Sequence, residues 1–144
     1  LGSYLFDYYG RYALYGGEAW AKSLKDISSL ITENKKKYDK IIVGQVSFGD
    51  LIQHAFYAKI NPSDVQKAWQ KRQKGAGESF SIDSVTFTTP CLENKTGGLP
   101  AFKEYKPVLY IVHDNCARTA TPSALIKDYP GNTVWKIYNI EYLL

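Results

Sequence analysis

Methionine is missing from all 144 residues. A translated chain begins with it, so the expectation is of a processed product or a piece of something longer, with Leu1-Gly2-Ser3 read as an appended scar. Long hydrophobic runs are also missing. The strongest is Val108-Leu109-Tyr110-Ile111-Val112, far short of the roughly 18 apolar residues that a membrane-spanning helix needs. Arginine is scarce, with only Arg11, Arg72 and Arg118, which argues against a nucleic-acid-binding face built from spread basic groups. The chain has two cysteines and two histidines, Cys91, Cys116, His54 and His113. They lack the closely spaced Cys and His pairs of a zinc module, so neither a metal nor another cofactor is expected.

What is present describes a folding chain. Apolar residues make up 44% and charged residues 22%, which is a globular rather than a disordered balance. The length suits one domain, since about 100 to 200 residues is usual for one. The net charge is +4, and the excess lies in residues 1–72, largely in the run Lys35-Lys36-Lys37-Tyr38-Asp39-Lys40. That run falls where a helix should end, and lysines there complement the negative end of the helix dipole.

Trp20, Leu24, Ile27 and Ile31 recur at steps of four, three and four, which predicts an amphipathic helix over 18–32. Lys40-Ile41-Ile42-Val43-Gly44 reads as a short buried strand. Leu51, Ile52, Ala55, Phe56 and Ile60 fit a second helix, with Asp50 as its N-cap. Asn61 and Pro62 suit the cap and first position of a third helix, expected to reach about Gln73, with Gly75-Ala76-Gly77 to stop it. Residues 80–88 read as strand with a bend at Asp83-Ser84, and 90–106 as a long loop. Pro107 opens the strand 108–112. The stretch 123–129 fits either a short helix or the first arm of a hairpin; the turn sequence Pro130-Gly131-Asn132 before the strand 134–140 favours the hairpin. The expected fold is a single-domain α/β sandwich, with α+β as the variant. It has early helices, a short mixed sheet and a C-terminal hairpin. Residues 1–17 form an aromatic arm and 18–144 the domain.

Candidate chemistry is sparse. Cys91 and Cys116 can be read as a disulfide or as buried thiols; the bridge would be worth about 3 to 4 kcal/mol by chain entropy. His113 and Cys116, three apart after a strand, admit a Cys-dependent hydrolase, although spacing shows neither a lowered thiol pKa nor an oxyanion hole. The loop Gly44-Gln45-Val46-Ser47-Phe48-Gly49 joins strand to helix, where backbone amides can hold anions, yet it lacks both phosphate-loop signatures. Its position makes Ser47 and Asp50 polar binding candidates, with helix capping as the simpler role. Asn94-Lys95-Thr96 matches a glycosylation sequon. The amino end places seven aromatics, Tyr4, Phe6, Tyr8, Tyr9, Tyr12, Tyr15 and Trp20, within seventeen residues. Such density suits a stacking platform for ligand, a membrane-interface belt, or packing on the core. A secreted carbohydrate- or peptide-binding module is therefore one reading, with Tyr9 and Trp20 as its test positions.

The order of segments resembles a known family. Tyr8-Tyr9-Gly10-Arg11-Tyr12 leading to Trp20, then Lys37-Tyr38-Asp39-Lys40-Ile41-Ile42-Val43, then Phe56-Tyr57-Ala58-Lys59-Ile60-Asn61-Pro62 with Val65-Gln66 is similar to the region after the last membrane helix of certain bacterial and archaeal glycosyltransferases. These are the polyprenyl-phosphate-sugar-dependent enzymes akin to protein mannosyltransferases and aminoarabinose transferases. Val108-Leu109-Tyr110-Ile111-Val112 and the stretch from Tyr129-Pro130-Gly131-Asn132 to Ile140 correspond to that domain's last strand and closing hairpin. Two departures stand out: Val46-Ser47-Phe48-Gly49-Asp50 replaces a Gly-Gln-Pro-type opening, and the cysteines are not a family mark. The resemblance implies a non-catalytic domain on the extracytoplasmic face, because the family's catalytic carboxylate lies in an early loop between membrane helices. It implies the membrane-embedded part of the parent chain as partner, with a glycan, lipid-linked sugar or acceptor nearby. Tyr8, Tyr9, Arg11, Tyr12, Trp20, Ser47 and Asp50 are the candidate binding residues.

Overall fold

The most apolar run of the sequence becomes the middle of a sheet. A computed structural model describes residues 22–73, 77–93, 96–99, 107–127 and 131–140. Helices α1 (Lys22–Asn34), α2 (Phe48–Tyr57) and α3 (Pro62–Gln70) accompany six strands. These are β1 (Lys40–Gly44), β2 (Ser79–Ile82), β3 (Val85–Thr88), β4 (Val108–His113), β5 (Ala124–Lys127) and β6 (Thr133–Ile140). The sheet runs β2-β3-β1-β4-β6-β5. Its centre is parallel, with β1 between β3 and β4, and both flanks are antiparallel hairpins. This is the single-domain α/β architecture expected from the sequence, with the mixed sheet and C-terminal hairpin in place.

Side-chain alternation gives the sheet two different coverings. On one face Ile41, Val43, Leu109, Ile111 and Phe87 pack with Leu24, Ile27 and Ile31 of α1 and Leu51 of α2. The steps of three and four in α1 place that stripe along one side of the helix, and each side chain so buried contributes about 1.5 to 3 kcal/mol. Register locks the layer, since Ile41 faces Leu109 and Ile111 faces Ile137. On the other face Ile42, Val108, Tyr110, Val112, Tyr138 and Ile140 form a second apolar layer. No helix among the described residues covers it; Cys91, Leu92, Leu99, Cys116, Ala117 and Ala120 from two loops do.

Those loops are pinned by specific bonds. Cys91 and Cys116 are joined in a disulfide with Cα atoms 5.9 Å apart. Ala117 N donates to Glu93 Oε2 at 3.0 Å, tying the loops to each other. Tyr110 Oη donates to Leu92 O at 2.7 Å, and Tyr138 Oη donates to Ala117 O at 3.2 Å, tying each loop to the sheet. Burial pushes the phenol of Tyr110 well above its ordinary range and that of Tyr138 upward too, so both remain protonated donors. Gly44 belongs to the same layer: a Cβ there would meet Tyr110 Oη at 3.0 Å and Val112 Cγ2 at 3.2 Å.

Several sequence expectations shift. The second helix starts at Phe48, and its N-cap is Ser47, not Asp50. Asp50 is the third helical residue, and its carboxylate reaches back to accept from Ser47 N at 2.6 Å and from Ser47 Oγ at 2.7 Å, a capping-box arrangement that anchors the helix start. The third helix ends at Gln70 rather than Gln73. Gln73 instead exchanges backbone bonds with Ser79 at 3.1 Å in each direction, and that extended pairing competes with another helical turn. The cap expected at Asn61 is made, its side chain accepting from Ser63 N at 3.0 Å. The lysine run lies in the turn just past Asn34, where Lys35 pairs with Asp83 at 2.6 Å. Asp83 holds a φ of 53° in the β2–β3 turn, a conformation Asp tolerates better than most residues. Of the expected first helix, residues 18–21 lie outside the described residues, as do the aromatic arm, Gly75, Ala76, Asn94 and Pro130.

Replacing both Cys91 and Cys116 by Ala, or reducing the bridge, is expected to lower unfolding stability by about 3 kcal/mol from the entropy of the loop it closes. Urea unfolding with and without reductant measures it.

Candidate functional site

In open α/β sheets ligands sit in the crevice at the carboxyl ends of the parallel strands, where the chain leaves in opposite directions. Here β1 turns toward the helices, whereas the chain after β4 crosses to the loop face, so that crevice lies beside the end of β1. Cys91 stands three residues past β3 and Cys116 three past β4. Because β1 lies between those strands, the disulfide spans the carboxyl end of β1. Gln45, the first residue past β1, has its Oε1 3.1 Å from Cys116 Sγ. Its φ of 60° is held by Gln45 N donating to Pro90 O at 3.3 Å and Val46 N donating to Thr88 O at 3.0 Å. The ordinary ligand position of the fold is thus occupied by a covalent staple.

The sequence-predicted residues divide around it. Ser47 and Asp50 sit at this end of the sheet, and the polar contacts of the Asp50 carboxylate go to Ser47 and the helix start, which is the simpler of the two roles weighed for them. Tyr8, Tyr9, Arg11, Tyr12 and Trp20 lie outside the described residues. Cys116 is bridged and nearly inaccessible, so in this state it offers no thiol for a Cys-dependent hydrolase. His113 relates to it through a turn, Cys116 N donating to His113 O at 3.0 Å. The His113 ring meets Trp135 edge-on with centroids 5.3 Å apart, and Asp114 Oδ1 lies 2.8 Å from its Nδ1. His54 is on the opposite face of the sheet, against Phe87. The two cysteines and two histidines therefore do not assemble, and no group of three or more His, Cys, Asp or Glu gathers among the described residues.

His54 is a structural histidine. It is buried in the helix layer, and Ser28 Oγ lies 2.7 Å from its Nδ1. Burial, aided by the positive charge of Lys35, lowers its pKa to about 4, so it is neutral in the fold at ordinary pH.

The open concavity lies elsewhere, on the outer side of α2 and α3. α2 is apolar in two directions: Leu51, His54 and Ala55 face the sheet, while Phe48, Ile52 and Phe56, spaced by four, line a groove with Ile60, Val65 and Trp69. The groove encloses about 1010 Å³, at the upper end for ligand pockets. Phe48 fixes its floor, its ring 4.5 Å from Trp69 and 5.2 Å from Phe80. Leu51, Ile52, Ala55 and Phe56 all fit the apolar pattern of the second helix, but Ile52 and Phe56 do not share the burial of Leu51 and Ala55. They are instead 48% and 78% exposed, because a helix lying on a sheet buries one stripe and these two residues fall on the next. The i, i+4, i+8 spacing of Phe48, Ile52 and Phe56 was the signal for this second stripe, and Trp69 carried no such signal in its helix.

Compared with protein-family models, with curated proteins and with solved structures, the chain finds no match.

The unfolded chain's imidazole takes up a proton near pH 6.5 whereas the buried one resists until about pH 4. The contribution of neutral His54 is accordingly complete above pH 6.5 and is lost as pH falls toward 4, by at most roughly 3 kcal/mol. Urea midpoints measured across that window are expected to fall for the native protein and to fall less for His54→Gln.

Proposed function

We propose that this chain is a non-catalytic extracytoplasmic domain of a membrane glycosyltransferase that uses a lipid-phosphate-linked sugar, and that it assists acceptor binding or shapes the external site. The resemblance of Lys37–Val43, Phe56–Pro62 and the closing hairpin to that family's soluble domain is the starting point. The observation that carries the reading is the Cys91–Cys116 bridge. Structural disulfides persist in oxidising compartments, which suits the outer face of a membrane. The bridge also takes the place at the strand ends where a catalytic or cofactor site of this fold would form, which suits a supporting rather than a catalytic role. Ser47 and Asp50, at the same end of the sheet, bond to each other in the helix cap.

The segment Phe56-Tyr57-Ala58-Lys59-Ile60-Asn61-Pro62 adds a surface argument. It forms the bend between α2 and α3 and supplies much of one end of the apolar groove. A residue as exposed as Phe56 contributes little to folding, so the segment is suited to contact with something outside the domain.

The test has two parts. The complete open reading frame is expected to encode several membrane-spanning helices ahead of Leu1; a frame with none contradicts the reading. The chain alone is expected to show no transfer of sugar from a polyprenyl-phosphate donor, whereas the complete protein in detergent transfers it. Turnover by the isolated chain overturns the assignment.

A further inference from the structure

The α2–α3 face combines an exposed apolar surface with flanking cations. Ile52, Phe56, Tyr57 and Trp69 are all at least 36% exposed, and a contiguous exposed apolar patch marks an interaction surface. The charges around it are of one sign where it matters. Among the described residues Lys59 is the only ionisable one lining the groove, at the bend joining the helices, and Lys71 with Arg72 follows the far end of α3. That the second pair lies at the opposite end follows from the Phe48–Trp69 ring contact, which sets the start of α2 beside the end of α3.

The nearby acidic groups are engaged. Asp50 is used in the cap of α2, and Asp64 pairs with Lys67 at 3.0 Å. Arg72 lies 3.9 Å above the Trp69 ring and 3.6 Å from Glu78. Lys59 and Lys71 have no acidic partner among the described residues. The result is an apolar, aromatic strip with a cation at each end.

We propose that this face seats on a bilayer surface bearing anionic headgroups, with Phe56, Ile52 and Trp69 at the headgroup–acyl boundary and Lys59 and Lys71 at phosphate level. Aromatic rings favour that boundary. Lysines beside it gain from the negative surface potential, and an amphipathic helical surface binds by the sum of the two terms. A protein partner with an acidic, apolar helix and a second copy of this chain are the competing occupants. A second copy would bring the cations of one face against those of the other, which disfavours it. The proposal deepens the membrane-adjacent reading above, but it is measured on this chain alone. Its failure therefore leaves the reading-frame test standing, and the converse holds.

The whole chain is sedimented with vesicles of phosphatidylcholine and with vesicles of equal parts phosphatidylcholine and phosphatidylglycerol. Binding to the mixed vesicles is expected to be about tenfold tighter or more, and to weaken as salt is raised. Ile52→Ser with Phe56→Ser, and separately Lys59→Glu with Lys71→Glu, are each expected to lower partition by about tenfold or more, with circular dichroism unchanged. A second readout does not depend on losing binding: brominated lipid chains should quench tryptophan emission in the native protein and much less in Trp69→Phe. No binding to either vesicle, binding that ignores both pairs of substitutions, or quenching unchanged by Trp69→Phe overturns the proposal. So does self-association in ultracentrifugation that the same substitutions abolish while vesicle partition stays constant.

Discussion

The structure depends on covering one sheet face with loops, no helix among the described residues lying over it. β1, β4 and β6 bury side chains on both faces, and a strand buried on both sides needs a partner layer above and below. α1, α2 and α3 supply the layer on one side. On the other, Tyr110, Tyr138, Val112 and Ile42 are roofed by loop segments, which by themselves carry a large entropy cost of ordering. The Cys91–Cys116 bridge, the Glu93–Ala117 bond and the two tyrosine hydroxyls offset that cost. Each ties a loop either to the other loop or to the sheet beneath.

That same solution fills the carboxyl end of β1. A bridge from the end of β3 to the end of β4 has to pass over β1, so the crevice that α/β folds ordinarily use is filled by sulfur and by the turn at Gln45. The exposed apolar surface of α2 and α3 lies on the helical side. There Ile52 and Phe56 of α2 remain exposed beyond the sheet, and α3, held by Phe48, Trp69 and Phe80, supplies the other wall of the groove. The disulfide-pinned roof and the exposed apolar stripe thus lie on opposite sides of the sheet. Substitutions on the exposed stripe are free to alter binding without disturbing the layer that holds the strands.

The elements that rest on local patterns were legible in the sequence. The β-branched run Ile41-Ile42-Val43 and the apolar run from Val108 to Val112 announced the central strands. Asn61-Pro62 announced a helix start, and the Gly131-Asn132 turn announced the hairpin. What escaped was set by competition between nearby groups. Ser47 and Asp50 both cap well, and only the reach of the Asp50 carboxylate back to Ser47 N makes Ser47 the boundary. Gln73 fits a helix by propensity, but Ser79 offers it a strand partner. Ile52 and Phe56 look like core by hydrophobicity. Their exposure follows from the helix resting on a sheet rather than lying between two layers, which no local pattern records. The placement of the disulfide across β1 likewise needs the strand order, and spacing in the sequence does not contain it.

Whether the disulfide-stapled loops roof one sheet face independently of the helical side is read by residue-resolved hydrogen exchange on the native protein and on Cys91→Ala/Cys116→Ala. In the variant, amides bonded within or to the roof, such as Ala117 N and Thr119 N, are expected to lose protection, with the interior of α1 and the β2–β3 hairpin retaining theirs. Unchanged protection in the loops, or an equal loss throughout the helices and the sheet, would contradict an independently stapled roof.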